Sequence, residues 1–174
     1  REDNGLPNLY KYKYDRMFNH YDNVDENHAK FPAVGIPRVL NMYENYPFWH
    51  TFFTKLGFPV VLSSESDRQT YEKGIGYISS ETVCYPAKIS HGHIEDLVEK
   101  DVKFVFYPSV FYEHKEFEKS DDQINCPVVI GFPEVIQNNV SSLEKNNVTF
   151  MYPFVSFKDQ KTITSRLTEV FDQF

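Results

Sequence analysis

Cys84 offers the most chemistry of any residue in the chain. It sits in Ser79-Ser80-Glu81-Thr82-Val83-Cys84-Tyr85-Pro86-Ala87-Lys88, directly before a stretch that reads as a helix. Free amide N–H groups and the helix dipole favour a thiolate at such a position. That permits metal or iron–sulfur ligation, or nucleophilic attack; the alternative is a small buried residue where a helix begins. The second cysteine lies in Asn125-Cys126-Pro127, ahead of Val128-Val129-Ile130-Gly131, which reads as a strand. The amino end of a parallel strand lies on the far rim of a sheet, roughly 13 Å away for a four-residue strand. Unless the loop from Phe111 to Ile124 folds over, Cys126 is therefore expected to be a buried structural cysteine, apart from Cys84. Two cysteines without C-x-x-C spacing exclude a disulfide framework and a self-contained zinc site, though not a single disulfide.

Other candidates are weaker. Tyr107-Pro108-Ser109-Val110 ends the strongest strand pattern, which places Ser109 on a functional rim or leaves it to cap or turn the chain. Arg38, Asn41 and Glu44 stand at the end of the first strand and the start of the next helix. They could bind an anionic or polar ligand, or equally form a salt bridge and caps. His91-Gly92-His93 has the look of a metal pair, but residues i and i+2 point to different sides of a helix. Glu113-His114-Lys115-Glu116 and the residues to Asp122 read as a charged surface loop. Gly74-Ile75-Gly76 lacks a third glycine and follows a helical stretch, so it reads as a cap and turn. There is no G-x-x-x-x-G-K-[ST] and no G-x-S-x-G, so neither a P-loop nor a serine-hydrolase elbow is present.

These residues need elements to hold them. Strands are predicted over Val34–Leu40, with Pro37 forcing an edge or a break, and over Val60–Ser63, Val102–Tyr107, Val128–Gly131 and Val148–Tyr152. Helices are predicted from Pro47 to Leu56 with Phe48, Phe52 and Phe53 on one face, after Asp67 as N-cap, and over Ala87–Lys100, Glu134–Asn146 and Lys158–Phe174. Alternation of this kind specifies an α/β three-layer sandwich with a mainly parallel, Rossmann-like sheet, Val102–Tyr107 central. Ligands in such sheets sit beyond the carboxyl ends of the strands, and Cys84 and Ser109 are expected to share a pocket there. Residues 1–30 read as an arm or short helix followed by a polar linker, and 31–174 as the α/β domain. The opening Arg1-Glu2-Asp3-Asn4 is neither a signal peptide nor an initiator start and reads as a piece cut from a longer protein. With 18 Lys and Arg against 25 Asp and Glu, the formal charge of −7 argues against a nucleic-acid partner. No apolar run approaches a membrane span, and nothing suggests export, so a cytoplasmic location is expected. Aromatic residues make up 17% of the chain, enough to fill a core with few leucines.

Taken together, Gly35-Ile36-Pro37-Arg38, Asn41 to Trp49, Leu56-Gly57-Phe58, Glu81 to Lys88 and His91-Gly92-His93-Ile94 resemble the uncharacterised domain of large CoA-substrate-specific enzyme activases. These are relatives of the activator and dehydratase components of 2-hydroxyglutaryl-CoA dehydratase. The resemblance runs from about Val34 to Asn139. It implies a setting in which ATP-driven activase domains carry an iron–sulfur cluster and pass single electrons to a partner, beside a domain similar to the iron–sulfur dehydratase subunits. It implies Cys84 as a cluster ligand in the full-length protein, with Ser109 standing where relatives have cysteine. Serine oxygen is a harder and weaker cluster ligand than thiolate. Because a cluster needs about four ligands, the remainder would come from neighbouring activase and dehydratase-like domains, and an acyl-CoA enzyme is an implied partner. The fragment alone is expected to hold no metal and to hydrolyse no ATP. The competing readings are a scaffold module without a cluster, contacting an acyl-CoA-like ligand or partner domain, and a thiol enzyme built on Cys84.

Overall fold

The computed structural model describes residues 5–172. The expectation drawn from Arg1-Glu2-Asp3-Asn4, and the last two residues of the helix expected to reach Phe174, lie outside them. Six short strands are present among the described residues: β1 (Val34–Ile36), β2 (Val60–Leu62), β3 (Phe104–Phe106), β4 (Ser109–Tyr112), β5 (Thr149–Met151) and β6 (Phe154–Ser156). Four of them form a parallel sheet in the order β2-β1-β3-β5. β1 and β3 are central, and Val34, Ile36, Val105 and Phe106 are fully buried, as strands covered on both faces require. Pro37 breaks β1 rather than placing it at an edge.

Around the sheet run α1 (Leu9–Phe18), α2 (Met42–Leu56), α3 (Arg68–Gly74), α4 (Tyr85–Glu99), α5 (Pro127–Asn139), α6 (Ser141–Lys145) and α7 (Gln160–Phe171). The crossover from β1 to β2 and the one from β2 to β3 run in opposite directions. With right-handed connections they fall on opposite faces, giving the α/β sandwich. α7 joins α2 through Phe52 and Phe53 against Phe171, and α4 packs against α5 and α6. Asp67 caps α3 as expected: its Oδ1 accepts the Thr70 N–H at 2.7 Å.

Three expectations fail for identifiable reasons. Val128–Gly131 is not a strand but the first turns of α5, started by Pro127 at its first position. A short apolar run has no periodicity that separates strand from helix. α2 begins five residues earlier than expected, so Pro47 lies inside it. Its buried stripe is Met42, Tyr46, Trp49, His50 and Phe53, while Phe48 is exposed. The predicted helix from Glu134 to Asn146 is split, α5 ending at Asn139 and α6 following.

The strongest strand also continues where a turn was one reading. After β3, Tyr107-Pro108 interrupts the ladder, and β4 resumes; after β5, Tyr152-Pro153 interrupts it, and β6 resumes. Phe104 is level with Thr149, Phe106 with Met151, Ser109 with Phe154 and Val110 with Val155, so the register carries across the break unchanged and shifts by one residue only beyond it, between Val110 and Tyr112. The breaks lie at one level because proline has no N–H to donate. Tyr107 N–H to Met151 O (2.9 Å) and Ser109 N–H to Pro153 O (3.0 Å) bridge them. β4 and β6 thus extend the β3–β5 side of the sheet past its carboxyl edge as a two-stranded ribbon.

α3 and α4 meet backbone to backbone. A Cβ on Gly92 would fall 1.6 Å from the Thr70 carbonyl oxygen, and one on Gly74 would fall 2.2 Å from the Gly92 nitrogen. Gly74 and the glycine of His91-Gly92-His93 are therefore packing residues. At the N-terminal side, α1 packs on α2 through buried Phe18. The polar segment after it is docked: Asn23 donates to Val60 O and accepts from Val60 N–H, each at 2.8 Å. Among the described residues no helix is long and apolar enough to cross a membrane.

Candidate functional site

The chain leaves β1 for β2 on one side and reaches β3 on the other, so the strand order switches between β1 and β3. In open α/β sheets ligands bind at such a point, outside the carboxyl ends. The turn after β1 carries Arg38 and Asn41, and the start of α2 carries Glu44. Arg38 is held rather than free. Its guanidinium donates to the Tyr14 hydroxyl at 2.6 Å and lies 5.4 and 5.2 Å from the ring centres of Tyr14 and Phe18. Its backbone N–H donates to Ser63 Oγ at 2.8 Å. It lines a cleft of about 320 Å³ with Tyr43, Ser66 and Tyr85. Glu44 pairs with Lys13 at 2.9 Å on the surface.

The two histidines of α4 diverge as helical spacing demands. His93 is fully buried, with Nδ1 2.8 Å from Ser63 Oγ and Nε2 2.8 Å from Ser66 Oγ. Burial pushes its imidazole down to about 4, with Asp96 opposing only in part. One turn on, Asp96 accepts from Ser64 N–H (2.7 Å) and Ser64 Oγ (3.1 Å), and pairs with Lys73 (2.9 Å) and Lys100 (2.8 Å). Burial alone would raise this carboxyl, but Lys100, Lys73 and Ser64 outweigh it and hold it well below the usual carboxylate range. Every polar atom of this seam that meets α4 has a partner, which makes it a structural network.

His91 points the other way, against Phe132 of α5, with ring centres 5.3 Å apart. Its Nδ1 lies 3.0 Å from Lys88 O and therefore donates, leaving Nε2 as the lone-pair nitrogen. That nitrogen is buried without a partner, and burial lowers the imidazole's affinity for a proton. His91 lines a cleft of about 400 Å³ with Thr82, Val83, Pro127, Val128 and Phe132. Cys84 follows Val83 and is the N-cap of α4; Cys126 precedes Pro127 and is the N-cap of α5. Both thiols are free and exposed, and neither side chain caps its helix. The expected buried Cys126 on the far rim is thus corrected. Because Val128–Gly131 is helical, Cys126 sits at a helix start, next in the chain to Pro127 of this cleft as Cys84 is to Val83.

Ser109 is the first residue of β4 and only 7% exposed, so it stands inside the ribbon rather than in an open loop. Neither it nor Cys84 lines the three clefts described on this face. Among the described residues no three His, Cys, Asp or Glu side chains converge on a point that could hold a metal ion. The third cleft, about 740 Å³, lies between the start of α2 and the segment after β4. There Glu113 accepts from Asn45 Nδ2 (3.1 and 3.2 Å) and Asn125 Nδ2 (2.6 Å). Sequence reasoning passed over Glu113, whose place in a charged run hides the amides that orient it. It also missed the lone pair of His91, which only packing reveals.

Compared with known families, residues 33–174 match the family model described as CoA enzyme activase uncharacterised domain (DUF2229). No curated protein and no solved structure matches the chain.

Proposed function

The chain belongs to the CoA enzyme activase uncharacterised domain family, and from that membership we propose that it is an iron–sulfur-associated module whose cysteines complete a cluster site in the longer protein. The carrying observation is that two exposed thiols, Cys84 and Cys126, each occupy a helix N-cap and stand next in the chain to residues, Val83 and Pro127, that line one cleft. Backbone N–H groups at a helix start are left without intrahelical partners, and that end of the helix favours a negatively charged ligand set. His91, with Nδ1–H fixed on a backbone carbonyl and Nε2 unpaired, has the orientation that a metal-binding imidazole needs. The donors fit a cluster in type but do not close a cage by themselves. The module then supplies Cys84 and Cys126 from one side, and a neighbouring activase or dehydratase-like domain supplies the rest. A cluster held there would pass single electrons toward an enzyme acting on a CoA substrate. Ser109, buried at the base of β4, serves as a second-rank oxygen donor at most.

The test is iron and sulfide analysis, with the visible absorption spectrum, of the anaerobically purified longer protein. Cys84→Ala and Cys126→Ala are each expected to remove most of the iron, and Ser109→Cys to leave or raise it. Iron content indifferent to both cysteine substitutions overturns the reading and leaves the scaffold module standing.

A further inference from the structure

We propose that the cleft beside Asn41 binds a small neutral or cationic ligand presenting a planar donor–acceptor edge, of the amino-heterocycle or carboxamide kind. Asn41 is 8% exposed, and both Nδ2 and Oδ1 are buried with no hydrogen-bond partner. An asparagine just before a helix normally uses its side chain to cap the first N–H groups. Asn41 does not: its backbone is already helical (φ −67°, ψ −12°), and only its carbonyl accepts, from Glu44 and Asn45 N–H. The carboxamide is left with one donor side and one acceptor side, both covered in the free protein, in a residue that lines a cleft at the strand-order switch, so a side-chain rotation presents it to a ligand there.

The surroundings select among ligands. Glu113 is held by two asparagine amides and meets no cation among the described residues. Glu116 adds a second negative charge to the lining, while Lys13 is already paired with Glu44. An anion is therefore repelled, and a ligand N–H or ammonium group is matched by Glu113. Phe117, 72% exposed on the same cleft, offers an aromatic face for a flat ring. A carboxamide pairs both of its groups at once with an adjacent amino donor and ring-nitrogen acceptor, as asparagine does with an adenine edge. The site owes nothing to the two cysteines, so its fate is independent of the cluster reading.

The test is calorimetric titration and ligand-detected NMR on the whole chain, with adenosine and nicotinamide as probes and adenosine monophosphate as the anionic control. At least one neutral probe is expected to bind, more tightly than the monophosphate. Asn41→Leu is expected to weaken that binding about tenfold or more. Glu113→Gln, which keeps the shape and removes the charge, is expected to weaken it severalfold and to narrow the gap to the monophosphate. The second variant decides the matter should the first not fold. No binding of either neutral probe at millimolar concentration overturns the proposal, as does undiminished binding by a folded Asn41→Leu or by Glu113→Gln.

Discussion

The seam between α3 and α4 and the rim beside Asn41 both bury polar side chains, and they treat them in opposite ways. In the seam, Ser63, His93, Ser66, Ser64, Asp96, Lys73 and Lys100 satisfy one another. At the rim, both amide atoms of Asn41 and the Nε of Arg38 are buried without partners among the described residues, as is the Nε2 of His91 on the α5 side of α4. A satisfied network rigidifies, whereas an unpaired buried group is a standing penalty that nothing inside the fold offsets. Trp49 Nε1 and Tyr107 Oη are unpaired as well, inside the core, so what sets Asn41 apart is that its residue also lines a cleft.

The comparison predicts a graded set of responses. Gly92→Ala should be the most damaging change, because the new methyl meets the Thr70 carbonyl and helix backbone cannot give way cheaply. A loss of about 3 kcal/mol or more is expected in denaturant unfolding. His93→Leu comes next, at about 2 kcal/mol, since it takes from the buried Ser63 hydroxyl its imidazole partner and removes the link to Ser66 at the surface.

The same histidine sets a pH dependence. Its proton affinity is lower folded than unfolded, so the unfolded chain binds the extra proton between roughly pH 6.5 and about 4. Stability should be fully present above pH 6.5 and fall toward pH 4 by up to about 3 kcal/mol. Asp96, held low when folded, adds a further loss below about pH 4. The His93→Leu variant should show a shallower slope between 6.5 and 4. An equal slope would place the pH response elsewhere.

Asn41→Leu should leave stability unchanged or raise it by about 1 kcal/mol, because it removes an unpaired amide. A clear destabilisation would break the contrast between seam and rim. The smallest change is expected for His91→Leu, within about 1 kcal/mol. Its one hydrogen bond goes to a local helix carbonyl, and its ring already packs on Phe132.

How much of this could be read beforehand follows the range of the interactions. Asp67 was legible as a cap because the cap acts over three residues. Cys84 was legible at a helix start because Pro86 and the stripe after it announce α4. The parallel sheet followed from alternation alone. Val128–Gly131 was misread, and Cys126 with it, because an apolar tetrapeptide is compatible with either element and Pro127 can precede a strand as readily as it begins a helix. The packing role of Gly92 was hidden, since what it touches is a carbonyl 22 residues away in sequence. Whether Asn41 is paired is likewise a property of its neighbours in space, and composition is silent on it.

The unbroken register across Tyr107-Pro108 and Tyr152-Pro153 also constrains how relatives of this chain can change length. Two residues separate the inner and outer strand segments in both members of the pair. Adding or removing one residue in a single member would turn the outer segment's side chains to the wrong face. It would carry buried Val110 or Val155 outward. A compensating change would have to occur in the other member, 45 positions along, at the same level. Length variation in the family should therefore collect in the segment after β4, between Glu113 and Gln123, which borders the Asn41 cleft, while the two Tyr-Pro steps keep their spacing in lockstep.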